Sequence, residues 1–284
     1  MSKLFEVFNS HDGRGCGKWE HYPEIYEKHL ERFVGKEVTI FELGVCKGGS
    51  LQVWKKYFGE KANIIGVDVD PYSKYEEEQI KVYTGNVLDF KLWQEIVEKH
   101  GQPDIIIDDA SHIQQEVIQA FSMLYPALKD DGVYIIEDTH TAYRGNFGGG
   151  ITSPLNVVSI FGRLVNDVNN HFIEEAYTST LMDIKSMHFY NSMIVLEKEW
   201  TEKPKPLFFG DERYKNEMTK DEQTPMQINT HVSAEQALQE SRPSSKSYTN
   251  DEWQNIKEGF MENSQEPEEK NIQSYDKDLF KWNV

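Results

Sequence analysis

Short apolar runs alternate with longer amphipathic stretches through the middle of the chain. Four runs are rich in Val, Ile or Phe and lead into acidic residues: Val38–Leu43, Ile64–Val69, Ile105–Ile107 and Val133–Ile136. Ile80–Tyr83 is a weaker strand candidate. Between the runs, apolar residues recur at helical spacing over Leu51–Phe58, Leu92–His100 and Ile113–Leu128. This alternation predicts parallel βαβ units around a sheet that is buried on both faces.

The pattern near residue 190 predicts a different strand arrangement. Asp183–Phe189 and Ser192–Glu197 are strand-like runs on either side of Tyr190-Asn191, which is the pattern of a β-hairpin. The predicted fold class is therefore α/β, with a mostly parallel sheet that ends in an antiparallel hairpin.

Three further segments fall outside this alternation. Tyr22–Phe33 predicts a helix ahead of the first strand, and Ser111 is the predicted N-cap of the helix that follows the third strong run. Thr139–Pro154 contains four glycines and predicts a mobile loop. Leu155–Val168, directly after it, predicts another helix.

The composition changes after Trp200, where Glu, Lys, Ser, Gln, Asn and Pro replace the aliphatic residues. We expect an acidic, low-complexity tail over residues 200–284, partly disordered or with short helices at Ser233–Glu240 and Asn250–Met261. The predicted organisation has two more parts. Residues 1–35 form a helical lid segment, and residues 36–199 form the α/β domain.

The charge and cysteine content narrow the class of protein. The chain has 48 acidic and 30 basic residues and a formal net charge of −18. Nucleic acids and anionic membranes are bound through Lys and Arg clusters, so this balance argues against both as partners. Two cysteines imply no disulfide framework, and no apolar run has the length of a membrane span or a signal-peptide core. We therefore expect a cytoplasmic protein.

A glycine-rich turn joins the first predicted strand to the next helix. Gly44 and Gly48 lie in the turn, Glu42 precedes it and Ser50 begins the helix. Glycines let a ligand approach the backbone, and the first amides of a helix are free donors. The spacing is not that of a dinucleotide-binding turn, and Glu42 favours a cationic ligand such as S-adenosylmethionine over a pyrophosphate. Asp68, at the end of the second strand, is placed to accept hydrogen bonds from ribose hydroxyls.

Acidic residues also end two neighbouring strands of the predicted sheet. Asp109 follows the third strong run, and Glu137 and Asp138 follow the fourth. These carboxylates converge at one sheet edge and repel each other unless a cation joins them. Oxygen ligands favour Mg²⁺, which lowers the pKa of a bound hydroxyl. His112, placed one helical turn beyond Asp109, is the expected base for the hydroxyl proton, and His140 is the competing base.

Each acidic pair also has an ordinary structural interpretation. Asp108 and Asp109 are suitable helix N-caps, and the later pair is suitable for a solvated strand end. Two such pairs at neighbouring strand ends, each followed by a histidine, favour the functional site.

These motifs resemble the Mg²⁺-dependent sugar O-methyltransferases of macrolide biosynthesis. They also look like the related cephalosporin-hydroxylase-like group, and both resemblances imply a class I S-adenosylmethionine-dependent methyltransferase. The resemblance is carried by residues 42–50, 108–112 and 137–143, with Lys18-Trp19-x-His21-Tyr22 before them and residues 187–193 after them. It covers residues 10–198 and implies a seven-stranded, Rossmann-like methyltransferase sheet.

The resemblance also implies roles for individual residues. The metal ligands are expected to be Asp109, Glu137 and Asp138, with His112 as general base. The expected cofactor contacts are Tyr22, Glu42, Gly44, Gly48, Ser50, Asp68, Asn86 and Asp108. The sequence departs from the family in two places, because Ala110 replaces a usual Gly and Asn86 replaces a common Asp.

The acceptor is expected to contact the loop after the fourth strong run, with Tyr143 and Arg144 as substrate residues. The favoured activity is O-methylation of a hydroxyl on a sugar or a glycosylated small molecule, by a single chain or a homo-oligomer. Two alternatives stay open. One is catechol-type O-methylation of an aromatic vicinal diol in a slot lined by Tyr143, Phe147 and Trp19. The other is a non-catalytic, partner-binding protein on the same fold.

Overall fold

The computed structural model describes residues 2–70, 75–173, 183–207 and 209. Internal contacts divide the chain into two units, Met1–Pro206 and Leu207–Val284, and every element below belongs to the first. The two helices predicted at Ser233–Glu240 and Asn250–Met261 lie outside the described residues.

A single mixed sheet organises the described part of the chain. Its strands are β1 Val38–Leu43, β2 Ala62–Asp68, β3 Ile80–Thr84, β4 Ile105–Asp108, β5 Val133–Ile136, β6 Ile184–Tyr190 and β7 Met193–Lys198. The strand order is β3-β2-β1-β4-β5-β7-β6. The first five strands in this order run parallel, and β7 is antiparallel to both β5 and β6. The predicted seven-stranded, Rossmann-like methyltransferase sheet with a C-terminal antiparallel hairpin is confirmed.

The helices flank this sheet. They are α1 Lys3–Asn9, α2 Tyr22–Leu30, α3 Gly49–Phe58, α4 Phe90–His100, α5 Gln114–Leu124, α6 Val157–Arg163 and α7 Val165–Val168. α1 lies within the helical segment predicted over residues 1–35, although the pattern does not set its bounds. The single helix predicted over Leu155–Val168 is two short helices, because the chain breaks its helical hydrogen bonding around Leu164.

The core has two layers because successive side chains of a strand point to opposite sheet faces. Ile40 of β1 packs in the layer beneath α1, α2 and α3, whereas the next residue, Phe41, packs in the layer with α4, α5 and α6. Both residues are fully buried. Burial on both faces explains the continuous apolar runs that the sequence shows. Within the described residues, no helix combines the length and apolar character of a membrane span.

Two local expectations differ from the structure. The segment predicted as a mobile loop begins with a 3-10 turn over Thr139–Tyr143, in which Thr141 and Ala142 are buried. Ser111 is not the N-cap of α5, because that position falls on Ile113. The Ser111 hydroxyl instead accepts from the Ile113 amide and donates to Glu116 of the helix.

Candidate active site

The glycine-rich turn follows β1, and the order of the strands in the sheet reverses between β1 and β4. Gly44 adopts φ +86°, and a Cβ there would lie 2.2 Å from the carbonyl oxygen of Asp109. A side chain at this position is therefore excluded by both conformation and space. Gly48, at φ +72°, is the N-cap of α3. The first glycine thus brings the β1 turn against the acidic end of β4, at the position where open α/β sheets bind ligands.

Glu42 anchors this turn from inside the protein. Its carboxylate is buried and accepts hydrogen bonds from the Ser50 hydroxyl and from Nε1 of Trp54, the latter at 2.6 Å. Burial raises the pKa of this carboxyl to about 7. Direct contacts of Glu42 and Ser50 with a cofactor stay a prediction. The two side chains bind each other beneath the turn and hold its shape.

Asp68 supports the turn from the neighbouring strand. One of its oxygens accepts from the amides of Val45 and Cys46 at 2.7 and 2.9 Å, and the other accepts from the Asp70 amide. Each carboxylate oxygen has two lone pairs, so acceptor capacity remains for ribose hydroxyls. Asn86, which follows β3, is exposed and caps the Leu88 amide with its side-chain oxygen.

The predicted carboxylates do converge at the ends of β4 and β5. Asp109 and Asp138, together with His112, present one ligand atom each within 4.8 Å of one another. Asp138 adopts a left-handed backbone at φ +53°, which is uncommon for a residue other than glycine. Its Oδ1 accepts from Trp19 Nε1 and from the Tyr22 hydroxyl, both at 2.9 Å. Oxygen donors of this kind suit a hard divalent cation.

Tyr22 is one of the expected cofactor contacts, and that role stays a prediction. Its ring is fully buried, and its hydroxyl bonds to the side chain and amide of Asp138 and to Ser192. It lies at the start of α2, and its hydroxyl faces the strand ends. Tyr22 therefore positions Asp138 and fixes its unusual backbone.

Lys18 is the residue of this site to which the sequence interpretation assigned no role. Its ammonium donates to Asp109 Oδ2 at 2.5 Å and to both oxygens of Glu137 at 2.8 Å. The side chain is 5% exposed. Burial opposes the charged form, but Asp109 and Glu137 outweigh burial and raise the pKa of Lys18 well above its usual range. A permanent cation therefore bridges two of the three predicted metal ligands.

This arrangement sets the charge balance of the site. Lys18 neutralises one of the three carboxylate charges, and a divalent cation matches the other two. Glu137 also accepts from the hydroxyl of Tyr26 and is buried. The residues present therefore fit Mg²⁺. Asp109 and Asp138 are partly exposed, whereas Glu137 is buried and bonded to Lys18 and Tyr26.

His112 lies beside the carboxylates, but not on a helix. Its backbone is left-handed at φ +57°, and α5 begins two residues later. The expected helical turn between Asp109 and His112 is therefore wrong. A tight loop makes the same approach, because Nε2 of His112 lies 3.7 Å from Asp109 Oδ1 and 3.6 Å from Asp138 Oδ2.

His140 occupies the opposite side of Asp138. Its Nδ1 is 2.7 Å from the Ser192 hydroxyl and 3.9 Å from Asp138 Oδ1, and its ring packs edge-on against Trp19. Burial lowers the pKa of His140, which favours its neutral form. His112 Nε2 lies near both Asp109 and Asp138, whereas His140 comes no nearer than 3.9 Å to Asp138, so the geometry favours His112 over His140 as the base.

The expected substrate residues lie on the turn that follows the acidic pair. Tyr143 ends the 3-10 turn and is 55% exposed, and Arg144 follows it at the half-buried start of the next turn. Trp19 is also 42% exposed next to Asp138. The aromatic groups needed at an acceptor site are thus present at the surface near the carboxylates.

Asp108, one of the expected cofactor contacts, is buried in the structure. Its Oδ1 is 3.4 Å from the Ala110 amide, and within the described residues its Oδ2 has no hydrogen-bond partner. Burial raises the pKa of this carboxyl to about 7. Among the described residues, the hydroxyl of Tyr134, on the neighbouring strand, is also buried without a hydrogen-bond partner. Asp108 is therefore an internal acid in this structure, and its contact with a cofactor stays a prediction.

Asp108 makes the stability of the protein depend on pH. Its pKa is higher in the folded than in the unfolded chain, so its stabilising contribution is complete below about pH 4 and is lost as the pH rises through about 7. We expect Asp108→Asn to reduce the loss of unfolding free energy between pH 5 and pH 8 by a few kcal/mol. Urea unfolding of both proteins at several pH values measures this. Parallel curves for the two proteins contradict the assignment.

Comparison with known proteins agrees with this description of the fold. No protein-family model matches the chain. A tetracenomycin rhamnoside 3'-O-methyltransferase of Streptomyces olivaceus is 32% identical over 196 residues, which are 64% of this chain and 50% of that enzyme. Demethylmacrocin O-methyltransferase of Streptomyces fradiae is 30% identical over 198 residues, 64% of this chain and 49% of the relative. The chain spans about half the length of the curated relatives it matches.

A solved structure extends the similarity to three dimensions. It is the MycE methyltransferase from the mycinamycin biosynthetic pathway, in complex with Mg, SAH and mycinamycin VI. The TM-score is 0.65 at 25% identity, over 77% of this chain and 60% of that one. The fold is thus that of the α/β methyltransferases. The resemblance to macrolide sugar O-methyltransferases that the motifs indicate is confirmed by these relatives.

Proposed function

We propose that this protein is an S-adenosylmethionine-dependent, Mg²⁺-assisted O-methyltransferase that acts on a hydroxyl of a sugar or a glycosylated small molecule. The convergence of Asp109, Glu137 and Asp138 beside His112, at the switch point of a methyltransferase fold, carries the proposal. The names of the relatives support it, because they describe methyl transfer to the sugars of tetracenomycin and macrolide glycosides.

The β1 turn and the ends of β2 and β3 are the proposed cofactor site. Gly44 and Gly48 contribute no side chains to the turn, and α3 starts there with free amide donors. Asp68 accepts from the ribose hydroxyls, and Asn86 lies at the adenine end. Glu42 contributes its negative charge and the shape of the turn from below, without a direct contact.

Asp109, Glu137 and Asp138 are the proposed metal ligands. When bound there, Mg²⁺ lowers the pKa of the acceptor hydroxyl and orients it. The chain contributes the rest. Lys18 keeps Asp109 and Glu137 from repelling each other, and Tyr22 holds Asp138 in its left-handed conformation.

His112 is the proposed general base. Its Nε2 lies between Asp109 and Asp138, so it is within reach of an acceptor hydroxyl brought to these carboxylates. The proton passes from that hydroxyl to His112, and the oxygen takes the methyl group from the sulfonium in one displacement. Catalysis in this scheme comes from positioning and from charge stabilisation.

The exposed aromatic side chains favour a glycoside acceptor with a flat or apolar face. Trp19 and Tyr143 lie at the surface beside Asp138 and on the turn that follows it. A catechol substrate also suits such surfaces, so the acceptor panel must separate these classes. Both cysteines are free thiols, which agrees with the proposed cytoplasmic location.

Calorimetry with the cofactor analogue sinefungin tests the proposal. We expect sinefungin to bind the full chain, and we expect methyl transfer in the presence of Mg²⁺ to at least one glycoside in a panel. The panel contains mycinamicin VI, demethylmacrocin, a rhamnosylated tetracenomycin and the catechol dihydroxybenzoate. Failure to bind sinefungin contradicts the cofactor assignment. Turnover of the catechol alone contradicts the sugar assignment, and turnover that ignores chelation of Mg²⁺ contradicts the metal assignment.

A further inference from the structure

A second cluster of metal-ligating side chains lies away from the proposed active site. Within the described residues, His29, His188 and Glu197 each present a ligand atom within 4.8 Å of the others. They come from three elements, α2, β6 and β7, and β6 is the edge strand of the sheet. We propose that this cluster is a site for a borderline divalent cation of the Zn²⁺ class, which ties α2 to the C-terminal hairpin.

The donor set selects the class of metal. Two imidazoles and one carboxylate form a combination that binds Zn²⁺ with a water in the fourth position. Mg²⁺ prefers oxygen ligands alone, so this site and the cluster of Asp109 and Asp138 select different cations. The proposal is independent of the proposed methyl transfer.

The contacts already present orient the donors. His29 Nδ1 lies 2.8 Å from Glu197 Oε1. The Ser186 hydroxyl lies 3.2 Å from His188 Nε2 and 3.3 Å from Glu197 Oε2, so the second imidazole faces the same carboxylate. The two imidazole rings are in contact, with centroids 4.6 Å apart. A cation among these atoms requires side-chain adjustments and no change in the fold.

Tyr190 supplies the outer contact that a ligating histidine needs. Its hydroxyl lies 2.9 Å from His29 Nε2, on the ring side opposite to Glu197. A tyrosine hydroxyl donates or accepts, so His29 can give up the Nδ1 proton to solvent and carry its remaining proton on Nε2, towards Tyr190.

The place of the cluster gives it a structural consequence. His29 is on the same helix as Tyr22 and Tyr26, which bond to Asp138 and Glu137. A cation at His29 therefore fastens the C-terminal end of the helix that supports the active-site carboxylates. Glu197 has 18% of its side chain exposed, so the cluster is open to ions from solvent.

Titration of the chelator-stripped full chain with Zn²⁺, in millimolar Mg²⁺, tests the proposal. We expect wild type to bind Zn²⁺ and to melt at a higher temperature with it. His188→Ala and Glu197→Gln are each expected to weaken this binding at least tenfold, while keeping the melting temperature of the metal-free protein within a few degrees. His188 is half-buried, so Glu197→Gln provides a second, milder variant. Co²⁺ absorption in the visible range gives an independent reading of imidazole ligation.

Two controls separate this site from others. His100→Ala removes a histidine bonded to Tyr83 in another part of the sheet, and it is expected to bind Zn²⁺ as wild type does. Asp138→Asn disables the active-site cluster and is also expected to retain the binding. Loss of Zn²⁺ binding in Asp138→Asn with retention in His188→Ala places the ion at the active site and overturns the proposal. Absence of Zn²⁺ binding to wild type overturns it as well.

Discussion

His112→Ala is expected to lower kcat for the glycoside acceptor by about 10²–10⁴-fold, the usual contribution of a positioned general base. Sinefungin affinity is expected to stay within about threefold of wild type, because the ring lies among the carboxylates and not in the glycine-rich turn. Activity assays with the acceptor identified in the panel, together with sinefungin calorimetry, measure the two quantities.

The competing base provides the sharpest comparison. His140→Ala is expected to reduce kcat less than tenfold, because His140 Nδ1 is 3.9 Å from Asp138 Oδ1 and the ring does not lie between the two open carboxylates. If kcat falls strongly in His140→Ala and only slightly in His112→Ala, His140 is the general base. His171→Ala is the matched control, since His171 bonds to the Thr201 carbonyl in an exposed part of the protein.

A further outcome distinguishes a base from a metal ligand. His112 lies close enough to Asp109 and Asp138 to join them in holding a cation. If His112→Ala raises the Mg²⁺ concentration needed for half-maximal activity by more than tenfold and restores full kcat at saturation, His112 is a ligand. A low kcat at saturating Mg²⁺ identifies it as the base.

The sequence predicts the sheet and the acidic edge because both depend on local patterns. Each run such as Val38–Leu43 is apolar because the strand is buried on both faces, and the residues after the run necessarily lie at the sheet edge. Asp109 and Asp138 therefore converge as a consequence of topology alone. Gly44 is likewise recognisable, because a turn that approaches another backbone this closely requires glycine.

The parts that the sequence does not predict depend on contacts between distant segments. Lys18 lies in a stretch without periodicity, and its partners are 91 and 119 residues away. The sequence pattern places Tyr22 on the apolar face of a helix, and no local feature indicates that its hydroxyl bonds to Asp138. The only signal for Lys18 is its place in the Lys-Trp-x-His-Tyr motif, which marks the residue without indicating its partner.

The remaining difference between the predicted and the observed site comes from the direction in which neighbouring side chains point. Asp108 and Asp109 are adjacent, so in extended backbone they point to opposite faces. One enters the core beneath α5 and the other reaches Lys18. Of this acidic pair, Asp109 thus joins the carboxylates at the sheet edge, whereas Asp108 is a buried acid. Composition alone cannot assign the two faces, because the register of the strand decides which acid reaches the edge.

Lys18→Met is expected to destabilise the metal-free protein by about 3–5 kcal/mol at pH 7, the usual cost of removing one partner of a buried ion pair. Methionine matches the length of lysine but leaves Asp109 and Glu137 without their shared cation. Urea unfolding in the presence of a chelator measures the change. The loss is expected to shrink at pH 5, because protonation of the carboxylates removes their repulsion.

Lys129→Met is the matched control for this change. Lys129 also forms an ion pair at 2.8 Å, with Asp104, but its side chain is 42% exposed, so its removal is expected to cost at most about 1 kcal/mol. Mg²⁺ is expected to restore more stability to Lys18→Met than it adds to wild type, since it supplies the missing positive charge to the same carboxylates. Equal destabilisation of the two variants contradicts a buried cation at the centre of the site. If Mg²⁺ raises the free energy of unfolding of Lys18→Met and wild type equally, the Lys18 ammonium and the metal do not share the same carboxylates.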